Sequence, residues 1–120
     1  KFNFWSLDEN IKSRFIDRLY SALVELLNRF HDDWVQEKID REKVLIIRYD
    51  KMMSNFETLM EDVLSFIDSK PTDEMIQNIK ETANNQRQYT SSHRYDLEKF
   101  GLTAERIKKD CSGVYQTFLD

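Results

Sequence analysis

The chain contains one strongly apolar, β-branched run, Val44-Leu45-Ile46-Ile47-Arg48-Tyr49-Asp50. Four consecutive apolar residues bounded by charged segments are typical of a strand buried on both faces, as in parallel sheets. No second run has this character, and a lone strand cannot satisfy its own backbone N–H and C=O groups. We therefore predict one buried strand at about 44–49, paired with strands from a missing N-terminal half or from a second chain.

The composition favours a mostly helical domain. The 120 residues are 40% hydrophobic and 12% aromatic, enough for one core, whereas two glycines and one proline are too few for a turn-rich β fold. The net charge of −4, with acidic and basic residues mixed along the chain, gives no basic surface for nucleic acid or an anionic membrane. The sequence contains no run of about eighteen apolar residues, so it predicts no membrane-spanning helix.

The beginning of the chain has no initiator Met and no signal-peptide layout. It starts abruptly with aromatic residues, which suggests a piece of something longer. The single cysteine, Cys111, excludes a disulfide within the chain, which suits a reducing compartment, and we expect a cytoplasmic protein.

Apolar periodicity and capping residues predict four helices around the strand. We expect a single domain or domain fragment over 1–120, with helices at about 8–37, 55–68, 72–87 and 103–119 and a loop at about 88–102. The predicted caps are Ser6 or Asp8, Ser54 or Asn55, Thr72 and Thr103, and Gly101 is predicted to end the short turn before the last helix.

Two clusters that could carry chemistry have better structural explanations. His31-Asp32-Asp33 offers metal-ligand atoms, but adjacent helical positions splay apart, so a solvated helix face is the better interpretation. Cys111 lies on a helical apolar stripe without a neighbouring base, so a buried structural thiol is favoured over a nucleophile. No glycine-rich phosphate loop is present, and we assign neither a catalytic nor a metal site.

Two other segments remain as candidates. Arg48-Tyr49-Asp50 ends the predicted strand, where open α/β sheets place their ligands, although Asp50 could instead accept turn N–H groups while Arg48 pairs with it. The second segment, Thr90-Ser91-Ser92-His93-Arg94-Tyr95, has hydroxyl, imidazole and guanidinium groups that suit a phosphate or sulfate. A polar loop that ties down its own backbone is the alternative there.

The order and spacing of these segments resemble the sulfotransferase family. The run at 44–52, with Phe56-Glu57-Thr58-Leu59 and Val63-Leu64-Ser65-Phe66-Ile67 after it, is similar to the family's hydrophobic strand, Arg-Tyr-Glu-Asp-Leu, and helix ending in Phe-Leu. Residues 92–103 are similar to the His-x-Tyr-Ser-Leu-x-x-Phe-Gly-Leu segment of bacterial-type members. The first motif departs at Asp50 for Glu, Lys51 for Asp and Met52 for Leu. The similarity covers essentially the whole chain, but only the family's C-terminal half.

The resemblance implies the C-terminal part of a P-loop-like α/β fold with an incomplete sheet. It implies transfer of a sulfuryl group from the co-substrate 3′-phosphoadenosine 5′-phosphosulfate to an unidentified hydroxyl or amine acceptor. The family's main phosphate loop and catalytic base lie upstream of the matched residues, so this segment alone is expected to be inactive.

By position, Ser92, His93 and Arg94 correspond to a loop that closes over the 3′-phosphate in some relatives, while Arg48, Tyr49 and Asp50 would support the site structurally.

A different class remains open, that of a helical protein-interaction module that dimerises through its strand. In that interpretation the aromatic start, Phe2, Phe4 and Trp5, docks a partner. A phosphate loop encoded just upstream would favour the transferase, and a start codon just before Lys1 would favour the module.

Overall fold

The computed structural model describes residues 1–89 and 96–120. These residues are mostly helical and contain no β-strand. The helices are α1 (Glu9–Val35), α2 (Tyr49–Ser54), α3 (Phe56–Phe66), α4 (Asp73–Gln88), α5 (Ala104–Asp110) and α6 (Ser112–Val114), followed by a π-helical turn over Tyr115–Leu119. Two compact units are formed, one by the described residues of Lys1–Ile39 and Tyr95–Asp120, the other by those of Asp40–Arg94.

In the first unit, α1 is the longest element. The Asp8 carboxylate caps its N-terminus by accepting a hydrogen bond from the Asn10 N–H at 2.9 Å. At its C-terminus Glu37 takes a left-handed conformation with φ 58°, and the N–H groups of Glu37 and Lys38 return to the carbonyls of Trp34 and Asp33. This Schellman arrangement usually has glycine at the left-handed position, which a chain with two glycines fills with glutamate.

The C-terminal helices of this unit pack against one side of α1. The Tyr20 hydroxyl donates to Asp110 at 2.7 Å, and the Asn28 amide donates to the Asp110 carbonyl at 2.9 Å, where α5 ends. Cys111, which follows, is buried and separates α5 from α6, so the single helix expected at 103–119 is divided at this residue. The burial of Cys111 is what the apolar spacing predicted.

Gly113 lies against the imidazole of His31 on α1. A Cβ at this glycine would be 2.6 Å from His31 Cε1 and 2.7 Å from Nδ1, so the missing side chain is what lets the ring occupy this place. The ring is held there by a 2.9 Å hydrogen bond between Nε2 and Thr117 Oγ1 and by an edge contact with Phe118. The position of the His31 ring therefore depends on the absence of a side chain at Gly113.

The aromatic start of the chain packs inside the same unit. The Phe4 ring lies 5.4 Å from that of Phe15, and the Trp5 ring lies 5.5 Å from that of Phe100, whereas Phe2 is exposed. Gly101 ends the short turn after Phe100 with φ 67°, as predicted, since this conformation is strained for residues with a Cβ.

The second unit is built by α2, α3 and α4. Thr72 caps α4 by accepting a hydrogen bond from the Met75 N–H at 3.1 Å, as predicted, and Asn55 precedes α3 without a side-chain cap. Leu59 and Leu64 of α3 are buried with Ala83 of α4. These contacts form a small apolar core.

The buried strand predicted at Val44–Tyr49 is wrong, and so is the P-loop-like α/β fold with an incomplete sheet. Residues 44–48 are extended at both ends, with φ −129° and ψ 120° at Val44 and φ −83° and ψ 134° at Arg48, but form no ladder in the described chain. Tyr49 already belongs to α2. The β-branched side chains favour the local extended conformation, but a sheet requires a second strand, which no described segment supplies.

Candidate functional site

The Arg48-Tyr49-Asp50 segment forms a compact polar turn at the start of α2. The Arg48 guanidinium donates from Nε to Asp50 Oδ1 at 3.0 Å and from Nη2 to Oδ2 at 2.8 Å, a two-bond fork. Asp50 Oδ1 also accepts the Lys51 N–H at 2.9 Å. This geometry is that of the structural alternative, in which Arg48 and Asp50 bind each other and the turn.

The fork has an electrostatic consequence for the carboxylate. Hydrogen bonding from Arg48 holds the pKa of Asp50 below its usual value, with a smaller contribution from the Lys51 N–H. Asp50 is therefore a charged acceptor at neutral pH and a poor proton donor. Tyr49, between the two, is 71% exposed and makes its phenol accessible from solvent.

The segment before this turn has backbone groups that find no partner among the residues that the structure describes. Within the described part of the chain, no backbone hydrogen bond is made by Leu45, Ile46 or Ile47. Their side chains are poorly covered as well, since Ile46 is 38% and Ile47 46% exposed. A segment with both free ladder groups and exposed branched side chains is a template for pairing with another extended segment.

A groove of about 500 Å³ lies beside Tyr49 in the same unit. Its walls are mainly aromatic and methionine side chains with two amides, namely Tyr49, Met52, Met53, Phe56, Thr82, Asn85, Gln86 and Tyr89. Gln86 reaches across it to the sulfur of Met53 at 3.1 Å. Sequence reasoning missed the α4 side of this groove, although Thr82, Gln86 and Tyr89 recur at the three-to-four spacing of one helix face.

The phosphate-binding prediction for Ser92, His93 and Arg94 lies outside the described residues. The role given to these side chains by the resemblance stays a prediction. Their described neighbours are Tyr89 before them and Asp96 after them, both at the surface.

The solvated helix face predicted for His31-Asp32-Asp33 is wrong for His31, whose side chain is only 19% exposed. His31 Nδ1 lies 3.7 Å from Asp32 Oδ1 and its other ring nitrogen contacts Thr117, so the ring serves the helix contact described above. Burial raises the pKa of the Cys111 thiol, and the nearby Asp110 charge adds to this, so the sulfur stays protonated at neutral pH. Among residues 1–89 and 96–120, no three His, Cys, Asp or Glu side chains converge as they would around a metal ion.

Searches of protein-family models, curated proteins and solved structures found no match to this chain. In the described ranges, no helix combines the length and the apolar character needed to cross a membrane.

Proposed function

We propose that this chain is the C-terminal portion of a cytoplasmic sulfotransferase, in which it supports the nucleotide site and is completed by further polypeptide. The observation that carries the proposal is the order of local structures along the motifs. An extended apolar segment leads directly into the Arg48–Asp50 fork at a helix start, and the Phe-Gly-Leu motif forms a left-handed turn at Gly101 before a Thr103-capped helix.

The reaction would move a sulfuryl group from 3′-phosphoadenosine 5′-phosphosulfate to a hydroxyl or amine. Such a transfer depends on cationic and N–H groups placed around the oxygens that gain charge in the transition state. This chain would contribute Arg94 by charge-assisted hydrogen bonds to the 3′-phosphate, with Ser92 and His93 donating beside it. Arg48, bound to Asp50, would hold the turn rather than contact the ligand.

The completing polypeptide would pair with the extended segment at 44–48. Its backbone would satisfy the N–H and C=O groups of Leu45, Ile46 and Ile47, which have no partner among the described residues. The same polypeptide would supply the main phosphate loop and the catalytic base.

The test is calorimetric binding of 3′-phosphoadenosine 5′-phosphate to this chain and to a longer protein that carries the upstream sequence. We expect binding by the longer protein and little or none by the 120 residues alone. Arg94→Ala in the longer protein should weaken binding, whereas Arg14→Ala, a control at an exposed arginine of α1, should not. A longer protein without nucleotide affinity would overturn the proposal, and unchanged affinity in Arg94→Ala would remove the role of that residue.

A second candidate is the helical module that self-associates through residues 44–48. The observation in its favour is the same exposed backbone, now paired between two copies of the chain. Ile46→Pro removes one ladder N–H while remaining compatible with extended backbone, so it should abolish self-association in this case. Self-association that is equal in Ile46→Pro and the natural chain would exclude this candidate.

A further inference from the structure

Helix α1 has a second apolar face that the rest of its unit covers only in part, with Phe4 against Phe15. The C-terminal helices contact the side that carries Tyr20, Asn28 and His31. On another side, large side chains are about half exposed: Phe15 is 56%, Leu19 51%, Leu23 50% and Leu26 64% accessible, and Ile11 nearby is 52% accessible. We call these five residues the α1 stripe.

The exposed apolar area of the α1 stripe is larger than that of single apolar side chains scattered over a surface. A large side chain that is fully exposed presents roughly 200 Å², so five half-exposed side chains present roughly 500 Å². The largest apolar patch on a typical monomer is about this size, and such patches are often functional. Beside the stripe, an apolar groove of about 270 Å³ is formed by Phe15, Leu19 and Leu23 with Phe4 and Phe100 among its other walls, which extends the same surface.

The sequence of the stripe has the spacing of a helix-pairing seam. Phe15, Leu19, Ala22 and Leu26 follow one another at intervals of four, three and four, the repeat that keeps one seam facing a partner helix. The seam is flanked on one side by Arg18 and Glu25, seven residues apart. In an antiparallel pair of identical helices this flank faces itself in reverse order, which brings each arginine opposite the other copy's glutamate.

We propose that α1 pairs antiparallel with α1 of a second copy of this chain. Phe15 then packs against the partner's Leu26, and Leu19 against the partner's Ala22, so large residues meet smaller ones in each layer. Two symmetric ion pairs form between Arg18 and the partner's Glu25. Within its own helix, Glu25 Oε1 lies 3.7 Å from Arg29 Nη1, and the Glu25 side chain is 70% exposed. The contact is isologous and closes as a dimer.

The expected dimer is weak. Two stripes bury on the order of 1,000 Å² together, the low end of specific interfaces, which corresponds to a dissociation constant that is roughly micromolar or weaker. The ion pairs are exposed at the rim, so they fix register and direction more than they add affinity.

The experiment is sedimentation equilibrium of the chain from about 1 to about 300 μM, a range that brackets such a dissociation constant. Leu19→Asp should leave a monomer at every concentration, and circular dichroism should show that it keeps its helix content, because Leu19 is half exposed. Arg18→Glu and Glu25→Arg should each weaken the dimer several-fold. Arg18→Glu/Glu25→Arg in one chain should restore it, since the swapped charges again face each other.

Asp17→Arg is the matched control, with the same size of charge change as Arg18→Glu on the side of α1 away from the seam, and it should leave the dimer unchanged. A chain that is monomeric throughout the range would overturn the inference, as would a dimer that survives Leu19→Asp. A dimer lost in Ile46→Pro and retained in Leu19→Asp would assign association to residues 44–48 instead. If Arg18→Glu/Glu25→Arg does not restore the dimer affinity that the single variants lose, the antiparallel register is overturned.

Discussion

Replacing Gly113 by alanine tests how closely α1 and the C-terminal helices approach. The new Cβ would fall 2.6 Å from the His31 ring, far inside contact distance, so the ring must move. Displacement breaks its hydrogen bond with Thr117 and its edge contact with Phe118. Alanine would otherwise be preferred at this helical position, so two opposing effects act on the same substitution.

The sizes of these effects decide whether Gly113→Ala stabilises or destabilises the protein. The lost hydrogen bond costs about 1 kcal/mol, and loss of the ring contact costs about 1 kcal/mol more. Alanine gains about 1 kcal/mol over glycine in a helix, so Gly113→Ala should destabilise the protein by about 1 kcal/mol. In a His31→Ala background the obstruction is gone, and the same substitution should stabilise by about 1 kcal/mol.

The assay is urea unfolding of four proteins: the natural chain, Gly113→Ala, His31→Ala and the double variant. The cycle should give a coupling free energy of about 2 kcal/mol between positions 31 and 113. Additive effects, or an alanine at 113 that stabilises both backgrounds equally, would refute the proposed ring contact.

Three further predictions concern single groups. Arg48→Ala should raise the pKa of Asp50 toward its usual value in an NMR titration. The stability that this pair contributes is full above the ordinary pKa of an aspartate and is lost as pH falls through the lowered pKa of Asp50. The variant lacks this contribution, so it should lose less stability in acid than the natural chain. Burial and the hydrogen bond to Asp110 raise the pKa of Tyr20, and the stability that this gives is lost as pH rises through the raised pKa. Asp110→Asn should lower the pKa of Tyr20 in an ultraviolet titration. An unchanged titration would contradict the contact between Tyr20 and Asp110. Glu37→Gly should stabilise α1 by up to about 1 kcal/mol in urea unfolding, because glycine tolerates the left-handed conformation, and a destabilised variant would show that the glutamate side chain matters there.

Features specified within a few residues could be predicted from the sequence. Thr72 and Thr103 cap the helices that follow them because a hydroxyl and an N–H three residues on are enough to form the bond. The left-handed turn at Gly101 follows from the same local logic. The break at Cys111 was not predictable in this way, since it accompanies a hydrogen bond from Asn28, more than eighty residues away.

The strand prediction failed for a related reason. The run at 44–48 has the residue types of a strand and is extended, yet sheet formation is a property of two segments, and side-chain pattern in one of them does not supply the other. At the candidate site, the Arg48–Asp50 pairing was among the alternatives because the two residues are only two positions apart in sequence. The groove shared by α2 and α4 was not, since its Met53 and Gln86 are brought together by helix packing.

The amides of Leu45, Ile46 and Ile47 make no backbone hydrogen bond within residues 1–89 and 96–120, so their hydrogen exchange can report on assembly. In heavy water, deuterium should replace their hydrogens almost as fast as in an unfolded peptide, while amides inside α1 resist for far longer. A strand that pairs with this segment would slow hydrogen exchange at these three amides. Their deuterium uptake rates would therefore detect binding of a partner whose identity is unknown.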